Sequence, residues 1–163
     1  MIASRRTALA ALAMCALGLA SQTGLKLAIV NESPSLPRGL YLRQPSGALQ
    51  RGAIVALPQP PSARAYLAGL GAPGDILLLK RIAGMPGDIV CASDGLVQVQ
   101  SRQVAVRARD HGARALPTWA GCRPLLAGEV FLLGDTPDSF DSRYFGPVSA
   151  EDLAGTFALV VRW

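Results

Sequence analysis

Histidine, lysine and cysteine are all scarce in this chain. His111 is its single histidine and its three cysteines form no C-x-x-C pair, too few soft ligands for a zinc site at ordinary spacing. No metal or cofactor is expected. Neither G-x-x-x-x-G-K-[ST] nor G-x-G-x-x-G occurs, so nucleotide chemistry has no support. Charged residues are only 17% and aromatics 6%, but 50% of the chain is apolar, enough to build a core. At 163 residues there is room for one domain and not for two. The net charge of +5 is unevenly placed: Arg5, Arg6 and Lys26 stand in a first 30 residues without an acid. Residues 31–163 hold 13 basic and 11 acidic groups with no basic run. That is no track for phosphates, and no nucleic-acid partner is expected.

What the amino terminus does have is an apolar run. Arg5-Arg6 precedes Thr7 to Ala20, 14 uncharged residues, short of the ~20 that a spanning helix needs. Counting on to Leu25 lengthens the run but admits three polar residues. Two readings stay open: a cleaved signal peptide with a small-x-small site at Gly18-Leu19-Ala20, or an uncleaved anchor with its arginines inside. A twin-arginine signal at Ser4-Arg5-Arg6 is a weaker third. Cleavage and anchoring both export the rest of the chain. The expected organisation is a cytoplasmic terminus and anchor helix over 1–30, then a domain over 31–163 in the periplasm, held at the inner membrane. Cys15 lies in the apolar run, which leaves Cys91 and Cys122 to form a disulfide in an oxidising compartment or to remain two buried thiols.

From Asn31 onward, 15 glycines and 12 prolines divide short apolar runs, the pattern of a mainly β domain behind one N-terminal helix. Strands are expected at Ala53–Leu57, Ile76–Ile82, Ile89–Cys91, Leu96–Val99, Val130–Leu133 and Phe157–Val161. Ser93-Asp94-Gly95 signals a hairpin, and Gly84-Met85-Pro86-Gly87-Asp88 a turn. Residues 58–74 and 101–127 read as loops.

Fourteen of the 16 basic residues are arginine, which stays protonated and cannot act as a base. Lys80 stands out against that background, inside the most apolar strand. Period-2 alternation places it on one face with Ile76, Leu78 and Ile82. Burial there would lower its pKa and make it a general base; otherwise it is a strand-end lysine reaching solvent. Ser33 and Ser35 stand two apart around Pro34, which favours an extended Ser33 with both hydroxyls on one side. Ser35 can supply an attacking oxygen and its own N–H, and Ser33 a second oxyanion donor. The segment also reads as a Ser/Pro linker. In an extended strand Ser139, Asp141 and Arg143 would share a face, with Asp141 and Arg143 paired and Ser139 able to hydrogen-bond a lysine amine. Alone it is a polar turn.

Ser33-Pro34-Ser35-Leu36-Pro37, Leu79 to Asp88 and Gly134 to Gly146, taken together, resemble the boxes of type I signal peptidases. The match runs in the family's order from Asn31 to the end. These are membrane-anchored proteases with a Ser–Lys dyad. The form Ser35-Leu36-Pro37-Arg38-Gly39-Leu40-Tyr41, the small size and Gly121-Cys122-Arg123 are more similar to the conjugal-transfer branch, which matures, and in some systems cyclises, a conjugative pilin. The resemblance implies that Ser35 is the nucleophile and Lys80 the base, with Ser33 in the oxyanion hole. It makes Ser139, Asp141 and Arg143 supports of the lysine and the fold. General signal peptidases usually place two residues between serine and proline, Asn where Thr136 stands, and a larger second domain. These departures favour a dedicated peptide substrate such as a pilin precursor. Two alternatives stand beside it: a general peptidase for signal-peptide-bearing preproteins, and a non-catalytic membrane-tethered scaffold. His111, in a polar stretch, is expected at the surface.

Overall fold

The computed structural model describes residues 26–163, so the expected anchor helix, Arg5-Arg6 and Cys15 lie outside the described residues. Among the described residues no helix is long and apolar enough to cross a membrane. The strands in chain order are β1 (Ala28–Asn31), β2 (Gly39–Arg43), β3 (Ile54–Pro58), β4 (Leu77–Gly84), β5 (Ile89–Ser93) and β6 (Leu96–Val99). They continue with β7 (Arg102–Ala105), β8 (Gly121–Pro124), β9 (Glu129–Leu133), β10 (Val148–Ser149) and β11 (Gly155–Arg162). Helix α1 (Pro61–Gly69) follows β3, and a single turn, α2 (Ser142–Phe145), follows β9. A seven-stranded sheet runs β1-β2-β11-β3-β4-β9-β10, and a four-stranded sheet runs β7-β6-β5-β8. The pairings within both are antiparallel.

Strands that read as unbroken apolar runs do so because both of their faces are covered. In β3, Val55 and Leu57 pack with Ile82, Leu132 and the Ala63 and Leu67 of α1. Their neighbour Ala56 faces a second cluster, with Leu36, Tyr41, Leu79 and Phe157. Strand β9 divides the same way: Val130 and Leu132 join the first cluster, and Phe131 and Leu133 pack against Val90, Val97 and Val99 of the small sheet. Strand β6, by contrast, alternates. Val97 and Val99 are buried while Leu96 and Gln98 are exposed. The β5–β6 hairpin turns on Asp94 (φ 52°) and Gly95 (φ 75°), and Asp-Gly is the pair that tolerates two such positive angles. Cys91 and Cys122 are direct partners in the β5–β8 ladder and are disulfide-bonded, closing a separation of 31 residues.

Three expectations are corrected. The polar stretch after Pro58 contains α1, because Pro61 can open a helix without its missing N–H and Ala63 and Leu67, four apart, form its buried face. Residues 139–143 are not an extended strand. Asp141 is the N-cap of α2 and accepts from the Arg143 N–H, a local bond that favours a helical turn. Strands β1, β2, β7 and β8 arise where no strand is expected. Each is four or five residues long, and their ladders, not their composition, create them.

Candidate active site

Ser33 and Ser35 lie in the loop between β1 and β2, entered from Asn31 and left at Gly39, which pair across the ladder. The chain turns at Pro34-Ser35. The two hydroxyls therefore meet through a turn and not along an extended strand, with Pro34 supplying the fixed φ that a turn favours. Ser33 Oγ and Ser35 Oγ are hydrogen-bonded at 2.8 Å, and the Ser35 N–H donates to Ser33 Oγ at 3.2 Å. The N–H expected to receive an oxyanion is thus already directed at the expected co-donor. Ser35 is buried, and its carbonyl accepts from the Asp135 N–H at 2.6 Å. Asp135 is in turn held by Arg81 of β4 through a two-pronged ion pair at 2.8 and 3.0 Å. Gly134 makes this approach possible: a Cβ there would lie 2.1 Å from Ser139 Oγ and 2.9 Å from the Ser35 carbonyl oxygen.

Lys80 is central in β4, opposite Val55, and 4% exposed. Leu78 and Ile82 share its face as expected, but Ile76 precedes the strand and is exposed. Lys80 and Ser33 line one cleft of about 440 Å³ together with Asn31, Glu32, Leu77 and Leu78. Burial disfavours the ammonium and brings the Lys80 pKa down to about 8, with Asp141 acting to raise it and Arg143 to lower it. Those two charges belong to one ion pair and act in opposite directions, and desolvation is the largest of the three causes. Among the described residues Lys80 Nζ makes no hydrogen bond, and Ser139 Oγ is buried without a partner. The bond expected between them is therefore absent from this structure. The Thr136 hydroxyl is unpartnered as well.

Asp141 and Arg143 do pair, at 2.8 and 2.7 Å, with side-chain exposures of 0% and 1%. Arg143 also donates to the carbonyls of Thr136, Pro137 and Ala105, and Asp141 accepts from the Gly134 N–H at 2.9 Å. The pair thereby ties the turn after β9 to α2 and to the end of β7. His111 is exposed beside Arg107 and Asp138. Reading the sequence misses Asn31, Tyr41, Arg81, Gly134 and Asp135 as parts of this site. Asn31 has a signal, since it adjoins the serine loop. The others stand inside the quoted boxes, but the parts they play depend on contacts between distant segments.

Activity is expected to follow the neutral form of Lys80. It should rise with pH, reach half its plateau near pH 8, and fall about tenfold per unit well below that. Stability carries the same signature. The folded pKa lies below the ordinary 10.5, so between about 8 and 10.5 the unfolded chain binds the extra proton and Lys80 adds stability as pH rises. Urea titrations of parent and Lys80→Met at pH 7 and pH 10 check this. The stability difference should move in favour of the parent at the higher pH, and a constant difference would refute the lowered pKa.

The chain matches the family described as signal peptidase, peptidase S26, over residues 3–163. A plasmid transfer protein TraF of Escherichia coli is 34% identical over 161 residues, covering 91% of this chain and 90% of that protein. A second Escherichia coli protein of the same description is 30% identical over 147 residues, covering 82% of each. A crystal structure of a signal peptidase I from Enterococcus faecalis aligns with 69% of this chain and 98% of its own, at 24% identity and a TM-score of 0.41.

Proposed function

This chain belongs to the peptidase S26 signal peptidase family, and on that premise we propose that it is a Ser–Lys endopeptidase that matures a conjugative pilin precursor. The observation that carries the chemistry is the burial of Lys80, which brings its pKa down to about 8, at a cleft that Ser33, hydrogen-bonded to Ser35, also lines. A peptide lies extended in that cleft, its scissile carbonyl against Ser35. Neutral Lys80 takes the hydroxyl proton as Ser35 Oγ attacks, and the Ser33 hydroxyl and the Ser35 N–H turn from each other to the oxyanion. The lysine returns its proton to the leaving amine, and the acyl-enzyme remains. Water then completes proteolysis, and the precursor's own amine in its place would cyclise it. Ser139 Oγ, buried without a partner, accepts a hydrogen bond from the Lys80 amine once substrate orders the site. The relatives' description as plasmid transfer proteins supports a dedicated substrate. An anchor before residue 26 would hold the domain at the periplasmic face of the inner membrane.

The test compares full-length protein in detergent on a conjugative pilin precursor and on a generic preprotein. Cleavage of the precursor should be favoured by about 100-fold or more in kcat/KM, which is ~2.7 kcal/mol of discrimination. Mass spectrometry of the product separates a hydrolysed chain from a cyclic one, lighter by one water. Equal rates on both substrates would make this a general signal peptidase.

A further inference from the structure

The loop that carries Ser33 and Ser35 contains two prolines, Pro34 and Pro37, and therefore lacks two backbone N–H donors. A tight loop short of donors leaves carbonyl oxygens turned inward with nothing to bond. In this structure the shortage is met by one side chain. Asn31 Nδ2 lies 2.9 Å from the Ser33 carbonyl oxygen, 3.1 Å from that of Leu36 and 3.1 Å from that of Pro37. Its two N–H groups thus serve three acceptors. Tyr41 Oη adds a fourth bond, to the Pro37 oxygen at 2.7 Å. Asn31 is buried, and its backbone is fixed by pairing with Gly39 across the mouth of the loop.

From this geometry we infer that Asn31 is a positioning residue for the nucleophile: its amide clamps the loop from within and aims Ser35 and Ser33. The carbonyls of Ser33 and Leu36 belong to the Ser33–Pro34 and Leu36–Pro37 peptides, so holding both fixes the chain one peptide beyond Ser35's own on each side. The Asp135 N–H, bonded to the Ser35 carbonyl, holds the third point from the opposite side. Three restraints around one residue leave its Oγ little freedom except rotation about χ1. The inference rests on Ser35 being the nucleophile, as proposed above, and concerns how it is aimed. Asn31 touches no reacting atom in this account.

Asn31→Asp tests it. The variant is isosteric but places carboxylate oxygens against three carbonyl oxygens, so the loop must move; Asn31→Ala removes the clamp without repulsion. Both are assayed on the pilin precursor, well below their melting temperatures, beside the parent and Ser35→Ala. The expected loss is in kcat, about tenfold for Asn31→Ala and about a hundredfold for Asn31→Asp, the scale of an ångström's misplacement of a reacting group. KM should stay within about twofold. In Asn31→Ala the midpoint of the pH profile should not move, because no charge changes near Lys80; Asn31→Asp adds a carboxylate to the cleft that Lys80 lines and should move it upward. A folded Asn31→Asp with parental kcat overturns the inference, and so does a loss confined to KM in either variant or a displaced midpoint in Asn31→Ala. If Asn31→Asp does not fold, Asn31→Ala decides by the same criteria. A fully active Ser35→Ala would instead overturn the assignment of the nucleophile, an outcome separate from the others.

Discussion

Lys80→Met is expected to lose at least about a thousandfold in kcat while folding as well as the parent or better. Methionine nearly matches the lysine stem in length, fills the position opposite Val55, and relieves the core of an amine that must be desolvated. Lys80→Arg should be as inactive, since a guanidinium cannot give up its proton, and it will be less stable because the larger group overfills a packed site. Ser35→Ala should lose activity to a similar extent. On the proposed mechanism the two residues act in one proton transfer, so the double variant should be scarcely worse than either single one. Single-turnover kinetics on the purified precursor, with denaturation trapping of the acyl-enzyme, measure all of this. Turnover within tenfold of the parent in Lys80→Met would end the catalytic reading and leave the tethered scaffold in its place.

Arg143→Met is expected to cost about 3–5 kcal/mol of stability, because it leaves Asp141 buried and charged with its main partner gone. It also takes a donor from the carbonyls of Thr136, Pro137 and Ala105, of which Thr136 keeps the Ser139 N–H. Asp141→Asn should cost less, since an amide keeps the shape and can still accept from the Gly134 N–H, though the buried guanidinium loses its counter-charge. The sharper expectation concerns Lys80. Asp141 alone raises the lysine pKa and Arg143 alone lowers it. Removing Arg143 should therefore move the midpoint of the activity–pH profile upward, and removing the Asp141 charge should move it downward. Urea titration and the pH dependence of kcat, both at a temperature where each variant is folded, give the two readings. A loss under about 1 kcal/mol, or midpoints displaced in the same direction, would show that the pair neither braces the site nor reaches the lysine.

Much of the site can be read along the chain. Lys80 stands out among arginines, and the strand that buries it is the most apolar of the sequence. Ser33 and Ser35 announce themselves by spacing, Asp141 and Arg143 by charge. The short strands are harder. β2 contains Gly39 and Arg43, and β8 contains Arg123 and Pro124, compositions that no propensity argument would call strand. They are strands because β1 and β11 flank the first and β5 receives the second. Helix α1 was obscured by its own prolines, which read as a loop although one of them opens the helix.

Alternation and apolar runs depend on each residue's own hydrophobicity, so sequence alone determined the mainly β class and the hairpin at Asp94-Gly95, and it left Lys80 either buried or reaching solvent until the fold decided for burial. It also left two cysteines to find each other, and the β5–β8 register sets them opposite. What only the tertiary structure decided is everything that depends on a partner far along the chain. Ser35 meets Asp135 across a hundred residues, Arg81 holds that aspartate from β4, and Gly134 must lack a side chain because Ser35 and Ser139 crowd it from two directions. Such contacts leave no mark on the residues that make them, since an aspartate bonded through its backbone N–H has the same composition as one in water. The pKa of Lys80 lies between the two kinds of knowledge. Its direction follows from an amine in an apolar strand, but its size follows from how completely the fold excludes water around that amine and where it sets Asp141 and Arg143.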